Sequence, residues 1–120
     1  MPTRNANIDL SPTARWSPNG ITVAGGHGKG CALNQLSTLE GLYVDEDQTV
    51  YVTDNGNNRI VSWSSGAIVG QVIAGGNGRG DRLDQLNKAT DIIVDRISDN
   101  LLICDRGNNR LVRWPRGGGT

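Results

Sequence analysis

Residues 24–30, Ala-Gly-Gly-His-Gly-Lys-Gly, have the composition of a loop that cradles phosphate, with glycines to free backbone N–H groups and a lysine to supply charge. A phosphate loop ending in Gly-Lys needs Ser or Thr next, to place a hydroxyl on magnesium, and here Gly30 follows Lys29. No glycine fingerprint opens into a helix either, because Cys-Ala-Leu-Asn-Gln-Leu-Ser-Thr-Leu-Glu comes next. Fifty residues on, Ala-Gly-Gly-Asn-Gly-Arg-Gly at 74–80 repeats the loop, with Asn77 for His27 and Arg79 for Lys29. A loop that recurs reads as scaffold, its glycines permitting positive φ and close backbone approach. Catalysis at a metal wants several His, Asp or Glu side chains converging on one point, whereas His27 is the single imidazole of the chain. We therefore expect no catalytic residues, no metal and no cofactor.

A second constellation has more chemistry in it. Thr-Asp-Asn-Gly-Asn-Asn-Arg-Ile-Val-Ser-Trp (53–63) and Cys-Asp-Arg-Gly-Asn-Asn-Arg-Leu-Val-Arg-Trp (104–114) are nearly the same string. Asp54, Asn57 and Arg59, with Asp105, Asn108 and Arg110, could form a catalytic or ligand-binding cluster. They read more simply as a structural brace, because an enzyme rarely needs one site twice. In that reading Asp54 accepts backbone N–H bonds in its own turn, Asn57 tolerates left-handed φ, and Arg59 offers five donors to carbonyls or to a carboxylate such as Asp45. Trp63 and Trp114 end equivalent strands and are expected to pack one unit against the next. Arg106, Arg113 and Arg116 crowd the last fifteen residues as a candidate contact patch, against the plainer reading of a solvated strand face. Arg-Gly-Asp at 79–81 is explained by the loop repeat, since it matches Lys29-Gly30-Cys31. Cys31 and Cys104 occupy non-equivalent places, so no repeated disulfide or metal device is written; Cys104, within Leu-Leu-Ile-Cys-Asp, is expected to be a small buried hydrophobe.

The elements that hold these residues follow from the repeat. Laying 24–63 over 74–114 pairs Gln35-Leu36 with Gln85-Leu86, Val44-Asp45 with Val94-Asp95 and Trp63 with Trp114, at an offset of 50 residues that becomes 51 after an insertion in 95–100. Within each unit, short β-prone runs alternate with turn residues: 41–45, 49–54, 59–63 and 71–75 in the first, and 91–95, 100–105 and 110–114 in the second. Asn55-Gly56 reads as a turn accepting positive φ. Upstream, 14–16 and 21–25 read as the closing strands of a preceding unit. The chain thus divides into an N-terminal extension (1–13), closing strands (14–26), a first unit (27–76) and an incomplete second unit (77–120). A sheet of four such strands is too small to be stable alone, so units of this period must stack.

Composition agrees with a thin, turn-rich all-β chain: 120 residues, 36% hydrophobic, 17 glycines and no Phe. Lys+Arg and Asp+Glu balance at 12 each, so no global field draws it to nucleic acid or to an anionic membrane. No apolar run has the length of a membrane span, and the N-terminus shows no apolar stretch of a secretory signal.

On Asp-x-Gly-Asn-Asn-Arg-(Ile/Leu)-Val-x-Trp and the preceding Val-Asp and Val-Tyr-Val-x-Asp runs, the sequence resembles the NHL-repeat family of β-propellers. The resemblance covers residues 14–116. Asp54, Asn57, Arg59 and Ile60 fall on its motif in the first unit, as do Asp105, Asn108, Arg110 and Leu111 in the second; Asn58 and Asn109 stand where the family often has His. It implies a partial propeller of four-stranded antiparallel blades, about two blades of a larger ring. The chain would then be a piece of a longer protein, or copies of it would associate to complete a ring. The resemblance also implies a non-catalytic scaffold that binds a protein partner. Two alternatives come with it: a metal-dependent lyase or lactonase, disfavoured by the single His27, and an RNA-binding module, disfavoured by the zero net charge.

Overall fold

A computed structural model describes residues 19–116. Its strands are β1 (Leu39–Val44), β2 (Val50–Asp54), β3 (Arg59–Trp63), β4 (Gln71–Gly75), β5 (Asp91–Asp95), β6 (Asn100–Asp105) and β7 (Arg110–Pro115). They form two antiparallel meanders, a four-stranded sheet β1-β2-β3-β4 and a three-stranded sheet β5-β6-β7. The expected strands form within two residues of their expected bounds, with one exception. Residues 21–25, the sequence twin of β4, form no ladder: β4 exists by pairing with β3, and no strand runs beside 21–25 among the described residues. The companion segment 14–16 lies outside the described residues, as does the extension 1–13.

Strand faces follow the period of two. Along β5 the exposure alternates, with Ile92 and Val94 buried and Asp91 and Ile93 exposed; along β6 Leu101, Ile103 and Asp105 are buried. The inward set packs against Tyr51, Ile60 and Ala74 of the first sheet, with Leu86 and Ala89 from the connecting loop completing one core between the sheets. Ile60, Leu86, Leu101 and Ile103 are fully buried there. Each such side chain contributes about 1.5–3 kcal/mol through burial. The two sheets are thus held face to face by a shared core, while Val52, Val61 and Trp63 are buried on the opposite face of the first sheet, with Gly70 against Val61 and Trp63.

The same period corrects one reading. Cys104 is exposed, not buried, because it points with Leu102 to the face of β6 turned away from the first sheet. Its twin Thr53, on the equivalent face of β2, is fully buried beneath the second sheet.

The β2–β3 connection is four residues, 55–58, rather than a two-residue Asn-Gly turn. Asn55–Asn57 make a single 3-10 turn, and Asn58 closes it in the left-handed region at φ 53; Arg106–Asn108 and Asn109, at φ 51, do the same between β6 and β7. The left-handed residue is therefore Asn58, not Asn57 and not Gly56. Asn tolerates this conformation better than most residues. Gly56 is required for another reason: its N–H bonds to Ser37 O at 2.7 Å, and a Cβ there would collide with Ser37. Gly107 stands in the same relation to Asn87, with its N–H at 2.8 Å from Asn87 O.

Candidate functional site

The recurring polar residues converge at the β2–β3 end of each sheet. Asp54 ends β2 and Arg59 begins β3, so the antiparallel register sets them opposite each other. Arg59 Nε donates to Asp54 Oδ2 at 2.7 Å, and Asn57 Nδ2 donates to the same oxygen at 2.9 Å. The other carboxylate oxygen accepts the backbone N–H of Ser37 at 2.7 Å, from a segment 17 residues earlier rather than from its own turn. The remaining donors reach the glycine-rich loop. Arg59 Nη1 bonds Cys31 O at 3.0 Å, Arg59 Nη2 bonds Ala32 O at 3.1 Å and Gln35 O at 3.0 Å, and Asn57 Nδ2 bonds Gly30 O at 2.7 Å. Three side chains thereby hold four carbonyls and one amide of the segment that leads into β1.

The second unit repeats the arrangement bond for bond. Asp105 accepts from Asn87 N at 2.7 Å, Asn108 Nδ2 at 2.8 Å and Arg110 Nε at 2.9 Å. Arg110 reaches Asp81 O, Arg82 O and Gln85 O, and Asn108 reaches Gly80 O. Sequence reasoning singled out these residues but missed Gln35 and Gln85, which tie the loop from inside. Gln35 Nε2 donates to His27 O at 3.0 Å, and Gln85 Nε2 donates to Asn77 O at 2.9 Å. The signal was present in the Gln-Leu pair common to both units. The loop of the first unit turns through Gly25, Gly26 and Gly28 at φ of 72°, 87° and 84°, and that of the second through Gly75, Gly76 and Gly78 at 69°, 82° and 84°. Arg79-Gly80-Asp81 sits in this loop, with the carbonyls of Gly80 and Asp81 held by Asn108 and Arg110.

Chemically, the cluster consumes its own reactive groups. Asp54 and Asp105 are fully buried with both oxygens bonded, and the Arg59 side chain is 6% exposed. Such an arrangement orients backbone, and only the Arg110 side chain, 26% exposed, keeps partial access to solvent among these carboxylates and guanidinium groups. Among the described residues, no three His, Cys, Asp or Glu side chains lie together as a metal site would require.

Asp45 is not the partner of Arg59. It lies at the far end of β1, where it receives Arg96 from the β5–β6 turn and Arg116 Nη1 at 2.8 Å. Arg96 also meets Glu46 at 3.4 Å, and Arg116 meets Asp99 at 2.7 Å. The pairs with Asp45 and Glu46 latch the two sheets at their second end, and Asp99 holds Arg116 from within its own unit. Burial works against the Arg116 cation, yet hydrogen bonds to Tyr51 and Asp99 outweigh it and raise its pKa from the ordinary value. Arg106, Arg113 and Arg116 do not form one patch: Arg106 lies in the turn before β7, Arg113 is exposed along β7, and Arg116 beyond its far end is committed to the latch.

The two tryptophans differ as well. Trp114 is half-buried against the shared core, whereas Trp63 is 2% exposed, with Gly70 of its own unit lying on its ring. A groove of about 500 Å³ opens between β4 and the end of β7, lined in part by Tyr51, Ser62, Gln71, Ile73, Trp114 and Arg116.

Comparison with known families bears on the first of these units. The family model of the NHL repeat matches residues 36–62. The match covers 27 of the 120 residues. The match runs from Leu36 through β1 and β2 to Ser62 of β3, and contains Asp54, Asn57 and Arg59. No curated protein matches the chain. Outside the match, the second unit carries the same hydrogen bonds on the same residue types, so the bonding of residues 36–62 is built again over 86–113.

Proposed function

We propose that the two units are successive blades of an NHL-type β-propeller and that they serve as a non-catalytic protein-interaction scaffold. One observation carries this reading: the polar residues that recur between the units are turned inward and spent on holding backbone, while exposed positions such as His27 and Asn77, or Cys31 and Asp81, differ between them. Asp54, Asn57 and Arg59 are matched by Asp105, Asn108 and Arg110. By contrast His27 against Asn77, Cys31 against Asp81, Asn55 against Arg106 and Ser62 against Arg113 are substituted without touching the bonds of the brace. A rigid frame with variable exterior positions is a common way to build a recognition surface. Radial stacking of blades is supported by the face-to-face core between the sheets and by the latch of Asp45 with Arg96 and Arg116.

A displayed peptide library selected on the folded chain tests the function. The expected result is peptides that bind with 1:1 stoichiometry and lose about tenfold or more in affinity on Arg106→Ala or Arg113→Ala, without change in melting temperature. Peptides indifferent to every exposed substitution would contradict the reading. Tight stoichiometric zinc or calcium would favour a catalytic role instead.

A further inference from the structure

The two sheets have unequal edges. In the first, β3 pairs with β2 on one side and β4 on the other. In the second, β7 pairs with β6, and no strand takes its other edge among the described residues. The groove between β4 and the end of β7 lies on that open side. A bare strand edge presents a row of N–H and C=O groups that templates a further strand. The face above this edge is apolar and equally uncovered: Leu111 is 69% exposed and Ile93 53%, while Ile60 and Tyr43, their twins in the first sheet, are buried or half-buried under the second.

The chain also holds the complementary pieces. Ile-Thr-Val-Ala-Gly at 21–25 is the sequence twin of β4, Gln-Val-Ile-Ala-Gly at 71–75, and it forms no ladder; Ile21 is 88% exposed and Val23 63%. Leu42 and Val44 of β1 lie open at 64% and 53%, although their twins Ile92 and Val94 are buried against the preceding sheet. Inside the chain, Asn58 fixes the segment following β4: its carbonyl accepts Gly76 N–H at 3.1 Å and its side chain accepts Lys88 N–H at 2.8 Å. Asn109 has the same left-handed backbone, and it is exposed.

We propose that β7 is a strand-acceptor edge whose occupant is residues 21–25 of a second copy of this chain, antiparallel to β7, with the first sheet of that copy stacked over Ile93 and Leu111. The register follows from β3 and β4, where Arg59 faces Gly75, Ile60 faces Ala74, Val61 faces Val72 and Ser62 faces Gln71. Between copies, Arg110 faces Gly25, Leu111 faces Ala24, Val112 faces Thr22 and Arg113 faces Ile21. Leu42 and Val44 of the second copy then cover the exposed face, as Ile92 and Val94 cover its twin. The contact is heterologous, each copy donating at one end and accepting at the other. The ionic latch of the internal joint has no counterpart, since the twins of Arg96 and Arg116 are Glu46 and Ser65. Arg96 meets Asp45 within the chain, and Glu46, the twin of Arg96, would bring a like charge towards Asp95 between copies. The contact between copies is accordingly weaker than the internal one, and Glu46→Gln, which removes the like charge without setting a cation against Arg96, tightens it. The proposal rests on the stacking reading above, but not on the recognition of other proteins.

Disulfide trapping tests it at low affinity. In a Cys31→Ser, Cys104→Ser background, an Ala24→Cys chain is mixed with a Leu111→Cys chain under mild oxidation. The expected product is the mixed disulfide dimer, about tenfold over the yield with an Ile97→Cys chain in place of Leu111→Cys, because pairing raises the local thiol concentration. Adding Thr22→Pro to the donor abolishes it; this residue lies outside every ladder, so circular dichroism of the variant stays that of the parent. Adding Glu46→Gln to the Ala24→Cys donor raises the yield. Mixed dimer at the Ile97→Cys level, or trapping that survives Thr22→Pro, overturns strand donation, and a yield lowered or unchanged by Glu46→Gln overturns the stacked register. Failure of either kind leaves peptide recognition by the monomer untouched, so it is distinguishable from failure of the scaffold reading.

Discussion

The two braces share their bonds and differ in their surroundings. Asp54 and Asp105 are both fully buried, yet the side chain of Arg59 is 6% exposed and that of Arg110 is 26% exposed. The cause is the neighbouring strand. β4 runs beside β3, placing Gly75 opposite Arg59 and Gly76 N–H on Asn58 O, and β7 has no such neighbour among the described residues. The comparison separates two contributions. The motif alone suffices to fold the glycine-rich loop onto the sheet, and cover from an adjoining strand decides how dry, and so how costly to break, that fold is.

The largest expected effect follows directly. Asp54→Ala strands the nearly dry Arg59 cation and the Ser37 amide, and should cost about 3–5 kcal/mol in denaturant unfolding. Asp105→Ala leaves Arg110 within reach of water and should cost about 2–3 kcal/mol. Equal losses would break the argument from cover. A second pair contrasts the apolar faces: Ile60→Ala empties part of the shared core, at about 2–4 kcal/mol, whereas Leu111→Ala in the monomer should stay within about 0.5 kcal/mol. A smaller effect has the opposite sign. Thr53 Oγ1 is buried without a hydrogen-bond partner, so Thr53→Val, which keeps the volume, should stabilise by about 1 kcal/mol.

The smallest effect concerns acid. Asp47 and Asp95 cap the β1–β2 and β5–β6 turns. Asp47 is held below the ordinary carboxylate pKa chiefly by the Thr49 backbone, and Asp95 by the Ser98 hydroxyl. A depressed folded pKa means that their contribution is complete above the unfolded value near 3.8 and is lost as pH falls through the lower folded values. Asp47 is exposed and Asp95 only partly covered, so replacing both with Asn should flatten the acid limb of a stability–pH curve only slightly.

Much of this fold was legible because the repeat supplies an internal control. Features present at both 24–63 and 74–114 read as structural, which located the strands, the glycine loops and the brace residues. Partners were less legible. Asp45 and Asp54 are equally plausible mates for Arg59 by sequence, and only the antiparallel register, which sets the last residue of β2 against the first of β3, chooses Asp54. Cys104 looked interior because its neighbours are apolar, but a sheet covered on one face buries alternate residues, and Leu101 and Ile103 take those places. The missing strand at 21–25 has a related cause. Strand propensity is local, whereas a strand exists only beside a partner.

The central claim is that Asp54, Asn57 and Arg59 are a local brace for the loop entering β1, duplicated independently in the second unit. Native-state hydrogen exchange in Asp54→Ala tests it most directly, read at the Gly30 and Ser37 amides of the first unit and the Gly80 and Asn87 amides of the second. The account predicts that protection at Gly30 and Ser37 collapses while Gly80 and Asn87 keep most of theirs up to the global unfolding limit. Protection lost equally in both loops, or unchanged in the first, would contradict it.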